Sequence, residues 1–337
     1  SYVFDDLEVE MDIVDLEAMK FTATSGLIEN GRFNIYQVPI PSDPNAEEIP
    51  LPFLAFDELT LNNVSGNYTG TEAGIDFDFD FQELYAEIPK ADFNTFTIDV
   101  NTMNLSESKL GIDMTTIAPA TNNETVASSI FPAYTIQINE AQIKNTDIAY
   151  TVDGETPSKG TFNPSAVILE DIAFDASNTF LKDFKAGSTI AHLSGYEFSG
   201  IHLKYLATDF IISEQNLAIN DLKLQLNNSA LDGNISMNYP SFESLTSQPE
   251  KVTLNVSIPS VKFNVKDAYR FQKDLANNQY ASALSKQLIT GSVNSSGSLA
   301  SLDVPSFRMN WGKESAISAS GSLSNLNDVD KLYMNLP

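Results

Sequence analysis

The sequence predicts a mostly β protein, built as one elongated, curled antiparallel sheet with an apolar inner face and a single helix near residues 267–289. Three observations predict this fold: apolar residues alternate with polar ones, short polar turns separate the alternating segments, and a six-residue pattern recurs four times. An alternation with a period of two places the apolar side chains on one face of a strand. We therefore expect a long run of similar β units and not a compact catalytic domain.

The recurrent pattern reads apolar, Asp/Glu/Asn, Asp/Glu, Leu/Ile, any residue, apolar. Its copies lie at 4–9, 56–61, 169–174 and 219–224. Its apolar positions are one, four and six, so the acidic pair interrupts the alternation, which then resumes. A bend or β-bulge produces such an interruption. We expect these pairs to lie at the rim of the curled sheet, with the following apolar residues pointing inward: Asp5/Asp6, Asp57/Glu58, Glu170/Asp171 and Asn220/Asp221.

The alternation is clearest at 75–81 and 208–239. In the first segment phenylalanines alternate with aspartates, and the second reads as three strands joined by short polar turns, which predicts an antiparallel meander with one apolar face. The residues expected to line the apolar inner face are Phe77, Phe79, Phe81, Phe210, Ile212, Leu217, Ile219, Leu222, Leu224, Leu226, Leu231, Ile235 and Met237.

The number of strands predicts that the sheet curls. At roughly 12 to 16 residues for a strand and its turn, the chain holds about twenty strands or more, and open sheets beyond about ten strands curl, split or stack. A curled sheet with one apolar face encloses either a packed core or an apolar groove. Both require the same alternation, so the residues alone leave the two open.

Proline-rich or polar stretches predict loops near 39–52, 119–132, 153–164 and 240–250, within one continuous β segment. Only the stretch from Asp267 to about Ile289 indicates a helix, with Asp267 as its N-cap. The residues on its apolar face are Ala276, Tyr280, Ala283, Leu284 and Leu288. A helix packed over a sheet end or edge is favoured over an amphipathic membrane helix.

The composition excludes several classes of protein. With 42% hydrophobic residues the chain is folded, and its 45 acidic against 19 basic residues give a net charge of −26 that repels phosphates, so we expect no nucleic-acid partner. The chain has no cysteine, which excludes disulfides, thiolate metal sites and cysteine nucleophiles.

One set of acids has the spacing of a calcium-binding loop. Asp76, Asp78, Asp80 and Glu87 match positions 1, 3, 5 and 12 of an EF-hand, but Phe81 replaces the glycine that the turn requires. A strand with an acidic solvent face explains the intervening phenylalanines as well. We therefore predict no metal site.

Nothing in the sequence predicts catalysis. Adjacent acids on a strand point to opposite faces, and no nucleophile elbow, phosphate loop or dinucleotide fingerprint is present. His192 and His202 are expected to be solvent-facing strand residues. Trp311 is expected to be a core residue near a turn at Gly312, and this interpretation is favoured over that of an interfacial anchor. We predict no enzyme, no catalytic residue and no cofactor.

Three stretches resemble a known family. The segment 205–241 contains a strand, an "L-x-I-x-D-L-x-L" strand, a polar turn and "S-x-L-x-G-x-I-x-x-x-Y", and it resembles the repeated passages of TamB-like members of the AsmA/TamB superfamily. Segment 139–154 resembles their "I-x-N-x-x-I-x-Y" phrase, and the acidic, Asn-rich composition resembles Bacteroidetes versions. The tail resembles their "G-x-L-x-x-L" strand endings at Gly297, Leu299, Leu302, Gly321, Leu323 and Leu326.

The resemblance implies a β-taco groove in the periplasm, anchored to the inner membrane by a segment outside this chain, which is then a fragment of a longer protein. Such a groove supports outer-membrane biogenesis by conducting phospholipids along their acyl chains, or by assisting barrel assembly with a TamA-type outer-membrane partner. The family has no catalytic residues, and a helix at 267–289 is not part of its pattern.

Two alternatives stay open. A cell-surface β-rich adhesin or structural envelope protein with a packed core would have equally acidic, Thr-, Ser- and Asn-rich strands. An envelope glycan-active enzyme would need two acids converging in a cleft, and the sequence places none there.

Overall fold

The computed structural model describes residues 2–36, 50–70, 74–116, 131–132, 134–298, 300–325 and 333–335. Within these residues 19 strands are assigned to one large sheet, and the helices are short and lie between 244 and 284. The predicted fold class, mostly β and built on one large sheet, is confirmed. No helix in the described part of the chain is long and apolar enough to cross a membrane.

The strands follow one another along the chain with few interruptions. The first ten are β1 (Tyr2–Val3), β2 (Asp6–Asp15), β3 (Lys20–Glu29), β4 (Arg32–Tyr36), β5 (Phe53–Gly70), β6 (Ile75–Asp92), β7 (Thr97–Ser106), β8 (Lys109–Met114), β9 (Thr135–Val152) and β10 (Ala166–Lys182). The others are β11 (Lys185–Glu197), β12 (Ile201–Ser213), β13 (Asn216–Leu226), β14 (Ser229–Asn238), β15 (Thr253–Phe263), β16 (Ile289–Ser298), β17 (Ser301–Trp311), β18 (Ser315–Ser324) and β19 (Tyr333–Asn335).

The described helices are α1 (Ser244–Ser247), α2 (Val265–Ala268) and α3 (Gln279–Leu284), with 3₁₀ turns at Pro249–Lys251 and Lys273–Asn277. The chain divides into two compact units. The first unit contains β1 to β10, the second contains β12 to β19 and these helices, and β11 is divided between them. That the chain is one continuous segment stays a prediction.

In the first unit, several short strands are the two halves of one long strand. β3 and β4 both pair with β5 and are separated only at Asn30 and Gly31, while β7 and β8 both pair with β6 and are separated at Glu107 and Ser108. β1 and β2 pair with β4 and β3 in the same way. The first unit is therefore built from strands that are mostly 14 to 18 residues long.

The sequence indicated an antiparallel sheet, but the sheet of the first unit is only partly antiparallel. β3 and β4 run parallel to β5, and β7 and β8 run parallel to β9. Parallel neighbours need a connection long enough to return the chain to the starting end of the sheet. The connections here are 37–52 and 115–134, which contain the loops expected near 39–52 and 119–132, and most of these residues lie outside the described ranges.

The second unit is an antiparallel meander in which each strand from β12 to β19 pairs with the next. The segment 208–239 forms the second half of β12 together with β13 and β14, joined by short turns. The two longer connections contain the helices: α1 and one 3₁₀ turn lie within 239–252, and α2, α3 and the other 3₁₀ turn lie within 264–288. The segment 153–165 connects β9 to β10 in the first unit.

All four copies of the acidic pattern coincide with a break in strand pairing. The register slips between Phe56 and Leu59 in β5, between Leu169 and Ile172 in β10, and between Ile219 and Leu222 in β13. The first copy spans the gap between β1 and β2. The expected bulges are therefore present, but the later three lie inside strands and do not mark strand ends.

Left-handed backbone accompanies two of these breaks. Asp171 and Asp221 have φ of 53° and 50°, a region that Asp, Asn and Gly enter most easily. Irregular positions also face each other on neighbouring strands. Asn63 Nδ2 donates to Asn30 Oδ1 at 2.6 Å, and both of these residues are left-handed. The Asp221 amide donates to Asn234 Oδ1 at 2.9 Å, where the register of β13 and that of β14 both shift. A slip of one residue turns every following side chain to the opposite face, so matched breaks keep the faces of adjacent strands in step.

The expected helix from Asp267 to Ile289 is divided into α2, a 3₁₀ turn and α3. Non-helical backbone at Gln272 (φ −141°, ψ 88°) and Asn278 (φ −78°, ψ 123°) separates the pieces. The Asn278 side chain accepts hydrogen bonds from the amides of Tyr280 and Ala281, which starts a new helix at α3. Asparagine favours such caps over helix interiors, so the continuous apolar pattern does not form one helix.

Asp267 is not the N-cap of this segment. Asn264 caps α2 by accepting from the Lys266 amide at 3.0 Å, whereas Asp267 lies inside α2 and is only 6% exposed. Its Oδ2 accepts from the Asn228 amide at 3.0 Å and from Ser229 Oγ at 2.7 Å. Asp267 therefore joins the helical segment to the turn between β13 and β14.

The left-handed backbone at Asp221 leads to a testable prediction. Replacing Asp221 by Gly should leave the melting temperature nearly unchanged, because glycine adopts this φ freely. Replacing it by Val should lower the free energy of unfolding by about 1–3 kcal/mol, since a β-branched residue is strained there. Thermal unfolding followed by circular dichroism measures both.

Asn255→Val is the matched control, because Asn255 is an exposed residue in a regularly paired part of β15. It should destabilise far less than Asp221→Val. Equal losses for both valine variants would show that the bulge geometry is not the cause.

Candidate functional site

In the first unit, apolar side chains form rows that cross the sheet from strand to strand. Each member of a row lies directly opposite the next one on the neighbouring strand. One row is Leu7, Ile28, Leu61, Leu84, Leu105, Ile143 and Phe174. Another is Ile35, Tyr68, Phe77, Ile112, Tyr150 and Val167. We call this surface the apolar face of the first unit.

The opposite face of the same strands is mostly polar. The row beside the first one is Glu8, Leu27, Thr60, Tyr85, Asn104, Gln142 and Asp175. The alternation read from the sequence thus separates the two faces across seven strands. One face can contact apolar groups while the other faces water.

The three phenylalanines expected to line the inner face are all on the apolar face of the first unit. Their rings stack along β6, with centroids 6.0 Å apart for Phe77 and Phe79 and 4.8 Å apart for Phe79 and Phe81. A Cβ at Gly66, opposite Phe79, would lie 2.7 Å from the end of that ring and 2.6 Å from the Phe33 carbonyl oxygen. The absence of a side chain at Gly66 therefore leaves room for the Phe79 ring.

The second unit repeats the arrangement over β12 to β19. Its rows are Leu206, Leu224, Leu231, Val261, Gly291, Met309 and Ile317, and Ile212, Leu217, Met237, Leu254, Gly297, Leu302, Leu323 and Met334. These residues define the apolar face of the second unit. Gly291 and Gly297 supply no side chain, and no row contains a charged residue.

All ten residues expected to line the inner face between 210 and 237 lie on the apolar face of the second unit. Phe210 lies opposite Ile219, which in turn lies opposite Ile235. The bulge at Asn220 and Asp221 keeps the residues before and after it on one face. The full set is Phe210, Ile212, Leu217, Ile219, Leu222, Leu224, Leu226, Leu231, Ile235 and Met237.

The apolar faces are only half buried. Of the thirteen residues expected to line them, only Leu222, at 8% exposure, counts as buried, and the other twelve are partly exposed. Among the described residues, the largest side chain less than 2% exposed is that of Val64. Compact domains of this size bury many Leu, Ile and Phe side chains completely. Neither apolar face is therefore closed off like a packed core by the described residues.

Part of the apolar face of the second unit forms a cavity. In β16 to β19 a concavity of about 460 Å³ has an almost entirely apolar lining that includes Val293, Leu302, Val304, Phe307, Ile317, Leu323 and Met334. None of the described residues that line it is charged. Its volume is in the range of small-molecule pockets, and its lining suits a hydrocarbon group.

Sequence reasoning missed this cavity and the long row through Leu61, Leu84 and Leu105. The signal for the cavity was present in β17, where Leu302, Val304, Phe307, Met309 and Trp311 alternate around one bulge. The frequent serines of β16 and β18 weaken the pattern in the neighbouring strands. Rows also depend on the pairing register, which a single sequence does not provide.

The acids with calcium-loop spacing lie along one extended strand. Asp76 and Asp80 are both in β6, about 13 Å apart at 3.3 Å per residue, so they cannot converge on one ion. No group of three or more His, Asp or Glu side chains suited to a metal occurs within the described ranges.

The histidines and the tryptophan are half buried. His192 Nε2 lies 3.0 Å from Ser194 Oγ, and its ring centroid lies 5.4 Å from that of Tyr205. The backbone amide of His202 donates to Asn227 Oδ1 at 2.7 Å. Trp311 ends β17 opposite Ile289, beside the turn at Gly312.

Two carboxylates with lowered pKa accept hydrogen bonds at connections between strands. Asp92 accepts from Thr95 Oγ1 at 2.8 Å, and this hydrogen bond lowers its pKa, as does a hydrogen bond from Asn94. Asp153 accepts from Thr116 Oγ1 and the Thr116 amide, each at 2.7 Å, which lowers its pKa in the same way. Both carboxylates hold connections in place.

Comparison of the chain with protein-family models, curated proteins and solved structures gives no match.

The exposed apolar faces predict binding of a hydrocarbon probe to the folded protein. The dye N-phenyl-1-naphthylamine should become fluorescent on the native chain, and Phe307→Asp should reduce that signal because the carboxylate enters the cavity of the second unit. A fluorescence titration at neutral pH measures the change.

Asn310→Asp, on the opposite face of β17, is the control and should bind the dye as the unchanged protein does. Equal dye binding by Phe307→Asp and Asn310→Asp would place the probe elsewhere. Circular dichroism spectra of both variants verify that the sheet is intact.

Proposed function

We propose that this chain is a lipid-conducting segment of a TamB-like envelope protein, in which acyl chains lie along the apolar faces. The observation that supports the proposal most strongly is the half-exposed state of these faces. Rows of apolar side chains extend over six to eight strands without a charged residue, yet they remain partly open to solvent.

A hydrocarbon chain that lies on such a face removes its apolar surface from water. Each square ångström of apolar surface removed from water contributes roughly 25 cal/mol, so a chain that lies along the rows is held by many small contacts. These contacts are not directional, and one row resembles the next, so the occupant can move along them at little cost in free energy. Specific polar recognition would instead fix it at one place.

The polar face and the net charge fit the same role. With 45 acidic residues against 19 basic ones, the surface is strongly acidic. Like charge keeps molecules with an exposed apolar face from associating through it. The protein could thus stay soluble in an aqueous compartment.

The resemblance of 139–154 and 205–241 to TamB-like repeats supplies the biological setting of the proposal. In it, the protein acts in the periplasm, is held at the inner membrane by a segment outside this chain, and supports outer-membrane biogenesis. It conducts phospholipids, assists barrel assembly with a TamA-type partner, or does both. No catalytic step is part of this role.

A packed adhesin fits the same alternation less well. Such a protein is stabilised by a closed core, and its large apolar side chains are then buried completely. Twelve of the thirteen residues expected to line the inner face are partly exposed here, which favours a face with an exchangeable occupant.

Site-specific crosslinking tests the proposal. A photoreactive benzoylphenylalanine at Leu224, on the apolar face, should crosslink to phospholipid when the chain is illuminated in an envelope extract. The same residue at Gln225, next along β13 and on the polar face, should not. Mass spectrometry of the crosslinked peptides identifies the adduct, and equal lipid adducts at both positions would contradict the proposed path.

Variants complement the crosslinking. Leu224→Asp and Ile235→Asp should each lower the lipid that copurifies with the folded chain several-fold, since a carboxylate in the row is costly to cover with hydrocarbon. Gln225→Asp and Ser236→Asp place the same charge on the polar face and should retain the lipid. If no lipid copurifies and both apolar-face variants unfold as a packed core would, the lipid-conducting role is wrong.

A further inference from the structure

The three helical pieces between β15 and β16 form a small cluster at one end of the strands of the second unit. α2, the 3₁₀ turn Lys273–Asn277 and α3 contact one another. The cluster is tied to two neighbouring turns, because Asp267 accepts from Asn228 and Ser229, and Arg270 donates to the Ser199 carbonyl. We call residues 262–288 the helical cap.

The helical cap reverses the charge of the rest of the chain. It contains five of the 19 basic residues, within 27 of 337 positions, and two of the 45 acidic ones. Lys262, Lys266, Lys273 and Lys286 are exposed, and of the two acids Asp267 is buried and hydrogen-bonded. The solvent-facing charge of the helical cap is therefore positive.

The same segment exposes large apolar side chains. Tyr280 in α3 is 72% exposed, Phe271 is 55% exposed and Leu288 is 41% exposed. The apolar residues that the sequence placed on the inner face of a packed helix are thus largely at the surface: Ala276, Tyr280, Ala283 and Leu288 are all exposed. Burial of this face against the sheet does not explain the pattern.

We propose that the helical cap docks on a membrane surface that contains anionic phospholipid. Exposed aromatic and Leu side chains enter the boundary between headgroups and acyl chains, while the lysines of the helical cap contact phosphate and other anionic headgroup atoms. An acidic protein surface would pair with the lysines but would leave Phe271, Tyr280 and Leu288 without an apolar environment. A lipid surface matches both features.

The net charge of −26 does not prevent this docking. At physiological ionic strength the Debye length is about 8 Å, so acids farther than that from the membrane are largely screened. Only the charges close to the membrane determine the electrostatic attraction, and those of the helical cap are mostly basic. The docking does not depend on lipid transport, since it uses a different surface from the apolar faces.

Vesicle sedimentation tests the proposal with the 337-residue chain. We expect the chain to sediment with vesicles that contain 30% phosphatidylglycerol in phosphatidylcholine, and far less with pure phosphatidylcholine. The combined variant Lys266→Gln, Lys273→Gln and Lys286→Gln should lower the partition coefficient on the order of 100-fold. Phe271→Ser with Tyr280→Ser should lower it on the order of tenfold.

The control removes the same charge elsewhere. Lys144→Gln, Lys204→Gln and Lys223→Gln change three exposed lysines on β9, β12 and β13, and should leave binding within about twofold of that of the unchanged chain. Failure of the unchanged chain to bind anionic vesicles would overturn the proposal, as would equal losses for the two lysine triples. Lipid crosslinking at Leu224 can succeed or fail independently, so the two proposals are judged separately.

Discussion

The alternation of side chains across a strand is the constraint on which the rest of this structure depends. Because a slip of one residue exchanges the two faces, a sheet with one apolar face must correct each bulge in the neighbouring strands. The pairing of Ile219 with Ile235, and of Leu222 with Gly233, shows such a correction. The acidic pairs and the left-handed Asn and Asp residues make these corrections possible without exposing the wrong face.

The apolar face stays half exposed because the described residues supply little to cover it. The side chains of each row contact one another along the sheet, which stabilises the rows, but the largest side chain that is less than 2% exposed is Val64. A dense core is thus not the source of stability here. Long strand ladders and cross-strand contacts carry it, and the open apolar surface remains available to an occupant such as an acyl chain.

Sequence alone predicted the features that arise within one strand or between adjacent strands. The spacing of three between Ile219 and Leu222 predicted a bulge, and the alternation at 75–81 predicted the two faces of β6. Features set by distant residues escaped prediction: Gly66 matters only because it lies opposite Phe79, and parallel pairing depends on where a long connection returns. The helix was misjudged because Asn278, inside an apolar pattern, accepts from two following amides and starts a new helix.

A spin-label scan along Asn216–Leu226 tests the central claim most directly, that the bulge keeps one apolar face continuous for lipid. Labels are placed one at a time, and broadening by a lipid with a nitroxide in its acyl chain is measured. The structure predicts strong broadening at 217, 219, 222, 224 and 226 and little at 218, 223 and 225, with the period of two shifted by one residue at the bulge. Broadening that keeps one unshifted period, or that is equal at all positions, would contradict a continuous lipid-facing surface.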